Sequence, residues 1–350
     1  MRTWHLSKSK QRIAKYDMQK EALFYEKLEN KKVQCHLCPW KCLLTEGKVG
    51  VCRGKKNLDG TLYATNYARA VSIALDPMEK KPLYHFHPGS EILSTGPNSC
   101  NLRCDHCQNW NISQIESPTE LITPENLVSL AVRYNSIGIA YTYTEPLMWY
   151  EYVQDTARLA RDKHLVNVLV SNGYINPKPL LELLPLIDAI NIDVKGMTQD
   201  FYKKVCKGKL EVVLKTVELS IQKKCHVELT YLIIPGLNDS DVELREFSNW
   251  VAGLSISTPV HFSRYFPAYK ADFPSTPIET LKKAFQIAKE KLRYVYVGNA
   301  YIPGTSDTHC PKCSKVLISR SGYSIDMTGI KGNKCKSCGT VVDIVLDKKA

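Results

Sequence analysis

No stretch of about 18 apolar residues occurs in the chain, so no membrane-spanning helix is expected. Residues 1–5 lead into alternating Lys and polar residues without the apolar core of a secretory signal, so the expectation is a soluble, cytoplasmic protein. Internal repeats and low-complexity tracts are missing too. With 44% hydrophobic and 23% charged residues, the composition excludes a disordered or fibrous chain. Residues 61–305 lack net charge, with 25 Lys/Arg against 25 Asp/Glu. The excess of +12 therefore sits at the ends: 14 basic against 6 acidic residues in 1–60, and 8 against 4 in 306–350. Two basic ends on a neutral body suit either an anionic partner or simple solubility.

Cysteine is what the chain has in excess. Thirteen in a chain expected to be intracellular call for a reason other than disulfides. They fall into groups of four, three and four: Cys35, Cys38, Cys42 and Cys52; Cys100, Cys104 and Cys107; Cys310, Cys313, Cys335 and Cys338. Cys206 and Cys225 stand apart and read as small buried hydrophobes. The central C-x3-C-x2-C spacing fits three irons of a [4Fe–4S] cluster whose fourth iron lacks a protein ligand. A zinc site borrowing His106 is the alternative, although structural zinc sites separate their ligand pairs by longer runs. The last group forms two C-x2-C knuckles in zinc-ribbon spacing, with rubredoxin-like iron as competitor. The first group, C-x2-C-x3-C-x9-C, suits zinc better than a second [4Fe–4S] cluster, and both stay open.

Strand and helix patterns alternate through the middle of the chain. Apolar, β-branched runs at 91–95, 137–143, 166–171, 189–194, 227–234 and 260–265 predict strands, with a last strand-like run at 294–298. Helical patterns lie between them, the first opened by Thr123 and Pro124. A parallel sheet covered by helices follows, and ligands then gather at the carboxyl ends of the strands. A helical spacing through Met18, Ala22, Tyr25 and Leu28 predicts an N-terminal helix. His85 and His87 read as part of an extended link. The division expected is a basic metal module over 1–88, a main domain over 89–305 and a ribbon-like module over 306–350.

The cysteine trio directly after the first strand resembles the radical S-adenosylmethionine (SAM) superfamily. Further stretches resemble its pyruvate formate-lyase activating-enzyme branch, and Cys35–Trp40 is similar to the Cys-x-Leu-Cys-Pro-Trp pattern of the AmmeMemoRadiSam group. The likeness covers residues 33–305 and implies an α/β partial (β/α)6 TIM barrel with small metal-binding modules at both ends. It implies a [4Fe–4S] cluster on Cys100, Cys104 and Cys107 that cleaves SAM with an electron from an external reductant. The 5′-deoxyadenosyl radical produced abstracts hydrogen from a substrate. Position by position, Thr144 and Glu145 stand where the family's Gly-Gly-Glu binds the SAM amino group, with both glycines absent. Ser171 and Asn172 match a Thr-Asn-Gly, and Asp193 and Lys195 an Asp-x-Lys. Residues 233–239 resemble Val-Pro-Gly-x-x-Asp, while 264–269 lack the histidine of the family's Pro-Tyr-His. His106 replaces the usual aromatic beside the last cysteine and is expected near the adenine or the cluster.

The basic ends favour a macromolecular substrate, RNA such as tRNA. The branch likeness implies instead an activase that installs a glycyl radical on a protein. The group name brings Memo-like and AMMECR-like proteins as expected partners. A non-enzymatic zinc and iron–sulfur carrier is the alternative class, and it leaves the polar strand ends unexplained.

Overall fold

The computed structural model describes residues 20–346. Two compact units divide the chain: one holds the residues up to Asp76 with Glu91–Arg103 and Asn109–Asp188, the other Pro77–Ser90, Cys104–Gln108 and everything from Ala189 on.

In the first unit, β1 (Glu91–Pro97), β2 (Gly138–Tyr141) and β3 (Val166–Ser171) form a parallel sheet in the order β3-β2-β1. Two helices, α1 (Pro124–Arg133) and α2 (Tyr150–Asp162), occupy the connections. Thr123 caps α1 by accepting from Asn126 N, with Pro124 at the first helical position, where its missing N–H costs nothing. Strand β1 is buried after Glu91, and Gly96 near its end is obligatory: a Cβ there would sit 2.1 Å from Thr142 O. The sheet edge beyond β1 is the strand Arg69–Pro77, paired antiparallel with Glu120–Leu121.

The second unit carries β4 (Ala189–Asp193), β5 (His226–Ile233), β6 (Val260–Arg264) and β7 (Val295–Gly298), parallel and in sequential order. Between them lie α4 (Leu210–Gln222), α5 (Asp241–Leu254) and α6 (Ile278–Lys289), while α3 (Pro177–Leu183) ends the first unit's series. This is the α/β strand–helix series expected, with cysteine groups at both ends. No helix among the described residues is long and apolar enough to cross a membrane.

The N-terminal helix is not formed. Met18 lies outside the described residues, and the rest of that segment is strand: Lys20–Glu21 pairs with Thr61–Ala64, and Tyr25–Lys27 pairs with Val33–Cys35. Phe24 between them has φ 56°, which a helix forbids. A buried ion pair, Lys55 Nζ to Glu151 Oε2 at 2.5 Å, fastens this module to α2.

The C-terminal module is a set of short hairpins built on strands Val316–Ser321, Ser324–Asp326, Ile330–Lys331 and Lys334–Cys335. Its Leu317, Ile318, Ile330 and Val342 pack with Tyr294 and Tyr296. His85, within the irregular link ahead of β1, is fully buried. Its Nδ1–H donates to Asp343 O (2.7 Å), which leaves Nε2 to accept from Tyr296 OH (2.6 Å). Burial lowers its pKa to about 4. An unfolded histidine binds its proton near pH 6.5. His85 therefore contributes stability in full above that pH, and the contribution is lost as pH falls from there toward 4. The loss is on the order of 3 kcal/mol. Denaturant titrations from pH 7.5 to 4.5 check this: His85→Gln should flatten the stability slope by about one proton, and equal slopes would refute it.

Candidate functional site

Each unit has polar residues at its strand ends. In the first unit, Glu145 follows β2 and is fully buried. Its Oε1 accepts from Leu147 N (3.0 Å) and Ser171 Oγ (2.8 Å), and its Oε2 from Asn172 N (2.8 Å). Its own N–H donates to Ser99 O (3.1 Å), just ahead of Cys100. A buried carboxylate is tolerated only with such donors. Thr144 hydrogen-bonds Pro97 O (2.5 Å), so it too holds the start of the cysteine segment. Asn172, 6% exposed, donates from Nδ2 to Cys100 Sγ (3.7 Å) and to Asn101 Oδ1 (3.1 Å), while its Oδ1 accepts from Tyr174 N (2.8 Å). N–H donors to sulfur raise the reduction potential of iron–thiolate sites and fix ligand geometry.

In the second unit, the Sγ atoms of Cys104 and Cys206 and a ring nitrogen of His106 lie within 4.8 Å of one another. A π-turn at Tyr202–Cys206 brings Cys206 there, and Val205 O accepts from Asp105 N (3.1 Å). A hydrogen bond with Cys206, reinforced by burial, pushes the Cys104 thiol well up. His106 is 3% exposed, and its Nδ1 has no hydrogen-bond partner among the described residues. Burial, aided by the Lys195 charge, drops its pKa to about 3, so the imidazole is neutral. Lys195 Nζ pairs with Asp193 Oδ2 (3.1 Å). Burial opposes the Lys195 charge, yet Asp193 and the neighbouring sulfurs outweigh it and raise the pKa. Asn238, fully buried, ties β4 to β5: it donates to Lys195 O (2.8 Å) and Leu232 O (2.9 Å) and accepts from Ile234 N (2.7 Å).

Gln108, Phe266, Pro267, Ala268 and Asn299 line an open depression of about 730 Å³, counting its solvent mouth. Beside it Arg264 lies 5.0 Å from the Phe266 ring, and Lys270 5.1 Å from the Tyr269 ring.

The four C-terminal sulfurs also lie within 4.8 Å of one another, with Cys310–Cys338 at 3.6 Å and Cys313–Cys335 at 3.7 Å. A zinc ion with bonds of about 2.3 Å needs sulfurs about 3.8 Å apart, so this group matches a tetrahedral site. Cys35, Cys38, Cys42 and Cys52 line one pocket together with Lys55 and Met148. Sequence reading missed three participants. Cys206, taken as an isolated core residue, adjoins Cys104, and nothing near it in the chain signals this. Asn101 was legible only as part of the trio's spacing, and Asn238 only as loop chemistry.

Among known proteins, the Radical SAM superfamily profile matches residues 96–247. An uncharacterised protein of Methanocaldococcus jannaschii is 47% identical over 337 residues, covering 93% of this chain and 100% of that one. Molybdenum cofactor biosynthesis protein 1 of Drosophila melanogaster is 23% identical over 253 residues, 68% of this chain and 44% of its own length. The (2S)-3-sulfopropanediol dehydratase activating enzyme of Klebsiella oxytoca is 26% identical over 114 residues, 33% of this chain and 36% of that one. The chain thus spans less than half of the last two. Among solved structures, SuiB of Streptococcus suis bound to S-adenosylmethionine is similar at a TM-score of 0.48 and 9% identity, over 62% of this chain and 50% of that one.

Removing the donor to Cys100 tests the strand-end arrangement. Asn172→Ala should cost about tenfold in iron retention, measured by anaerobic chelator challenge; unchanged retention would show that the amide does not matter to that sulfur.

Proposed function

The chain belongs to the radical SAM superfamily, and from that premise we propose an enzyme whose Cys100, Cys104 and Cys107 hold a [4Fe–4S] cluster. These cysteines fall within eight consecutive residues, so chain connectivity alone keeps them in reach of one cofactor. Two observations fit such a group: the Asn172 N–H on Cys100 Sγ, and the partnerless buried His106 Nδ1. With SAM bound, the cluster and one electron from an external reductant supply a 5′-deoxyadenosyl radical for hydrogen abstraction.

The chain's own residues have distinct tasks in this reading. Lys195, kept charged by Asp193, meets the SAM carboxylate. Neutral His106 offers a hydrogen bond on the cofactor side. Glu145, with Thr144 and Ser171, positions Asn172 and the start of the cysteine segment. Cys310, Cys313, Cys335 and Cys338 hold a structural Zn²⁺.

For the substrate, the open depression carries the reading. Exposed rings with Arg264 and Lys270 beside them suit nucleobases and phosphates, and the basic 1–60 segment adds charge of the same sign. The substrate is therefore macromolecular, and RNA of the tRNA class is favoured. The Cys35–Trp40 pattern supports a reading as a member of the AmmeMemoRadiSam group, for which Memo-like and AMMECR-like proteins would be the partners.

Anaerobic protein given dithionite and SAM should release 5′-deoxyadenosine. Cys104→Ala should abolish that release, and persistent absence from the parent protein would overturn the enzyme reading. Total tRNA should accelerate SAM turnover. Acceleration by candidate protein partners alone would assign an activase.

A further inference from the structure

The two four-cysteine groups share a ligand count but differ in span. Among the described residues, the C-terminal sulfurs all lie within 4.8 Å of one another, whereas no three donors of the Cys35–Cys52 group do. One zinc ion bonds only sulfurs about 3.8 Å apart, so the N-terminal group is too wide for it. Yet Cys35, Cys38, Cys42 and Cys52 converge on a single pocket of about 330 Å³, counting the part open to solvent. Three of the four are buried and none is in a disulfide. A cubane spreads its thiolates over four separate irons and fits a wide, convergent set of this kind. We propose that Cys35, Cys38, Cys42 and Cys52 hold a second [4Fe–4S] cluster.

Burial raises the Cys35, Cys38 and Cys52 thiols, and nearby donors and cations offset part of that cost for an anionic group. The backbone at Leu37 and Gly54 works in favour of the Cys35 and Cys52 thiolates, against the larger effect of burial. The Trp40 backbone and the Asn101 side chain likewise favour the Cys38 thiolate against burial. The buried Lys55 ammonium lines the pocket, and the Arg103 guanidinium hydrogen-bonds Val51 O beside Cys52. Asn101 also gives the site a use. Its side chain lies near Cys38, and its Oδ1 accepts from Asn172 Nδ2 (3.1 Å), which donates in turn to Cys100 Sγ (3.7 Å). Trp40 Nε1 donates to Asn101 O (2.7 Å) and closes the junction. Two amides thus join a sulfur of one group to a sulfur of the other. The site takes one electron from a low-potential external donor such as dithionite, the cluster being reduced by one unit of charge as the donor is oxidised, with no bond made or broken.

This site stands independently of the radical SAM reading, and the test keeps them apart. Full-length protein and the Cys100→Ala/Cys104→Ala/Cys107→Ala variant are purified without oxygen and analysed for iron, sulfide and zinc. The variant should keep about four irons per chain, an absorbance band near 400 nm and a dithionite-induced electron paramagnetic resonance signal, against about eight irons in the parent. A colourless variant with two zinc ions per chain would overturn the proposal. Iron retained by the variant with no loss relative to the parent would support this site and overturn the cluster on Cys100. Should the variant not fold, Cys42→Ala in the parent serves instead. With three thiolates at this site as well, mild oxidation should about double the three-iron signal that the Cys100 site gives in the parent, and an unchanged signal with unchanged iron content would refute the assignment.

Discussion

The buried carboxylate of Glu145 is the constraint on which the first unit's strand ends depend. Left without donors in that interior, it would cost several kcal/mol. Its three donors come from the turn after β2 and from the end of β3, and its own N–H reaches Ser99. Satisfying one charge therefore registers the ends of two strands and the approach to Cys100. Asn172 inherits its position from that arrangement: its backbone N–H is spent on Glu145, so its side chain is held where the amide meets sulfur. A ligand sphere built on strand ends and locked by neighbouring hydrogen bonds is more rigid than one carried by a loop alone.

The second unit uses the same physics at another place. Glu228 is fully buried on β5 and accepts from His226 Nε2 (3.0 Å), His261 Nε2 (2.7 Å) and the backbone N–H groups of Tyr84 (3.0 Å) and His85 (2.7 Å). Burial opposes its charge, but the two histidines outweigh that and hold the carboxyl well below its usual range. Tyr84 in turn lies under Arg320, whose Cζ is 4.2 Å from the ring, so the network extends into the C-terminal hairpins. Fully satisfied polar networks of this sort specify one packing arrangement, because partial satisfaction is costly in a low dielectric.

The α/β series was legible because its strands are β-branched runs long enough to show a pattern, and α1 and α5 carry hydroxyl caps at Thr123 and Ser240. Residues 20–28 were misread because their strands are two and three residues long, too short for a period-2 signal. Ala22, Tyr25 and Leu28 happened to fall at helical spacing, and antiparallel pairing with distant strands overrode it. Within the candidate site, the residue types at the strand ends were legible, and their hydrogen-bond partners were not. A carboxylate after a strand reads the same whether it meets a ligand or, as at Glu145, backbone N–H groups. Cys206 lies too far along the chain for its neighbourhood with Cys104 to show in any motif.

The same limit explains why cysteine spacing ranks the two outer groups poorly. A C-x2-C knuckle fixes the distance between its own two sulfurs, because the turn is short and stiff. The distance between knuckles is set elsewhere, by the strands that carry them. At the C-terminus, Cys335 lies on a strand pair only two residues long, which folds its knuckle directly onto the other. At the N-terminus, Cys35 ends a strand paired on both sides, while Cys52 sits within a separate turn closed by Arg53 N–H on Gly50 O, and that sheet holds the sulfurs apart. Charge does not separate the two cases. A divalent zinc ion and an oxidised cubane of charge 2+ each leave four thiolates with a residual charge of about −2. The basic 1–60 segment, at 14 Lys/Arg against 6 Asp/Glu, stays positive under either. Cofactor identity is therefore a matter of span, and span is a property of the fold.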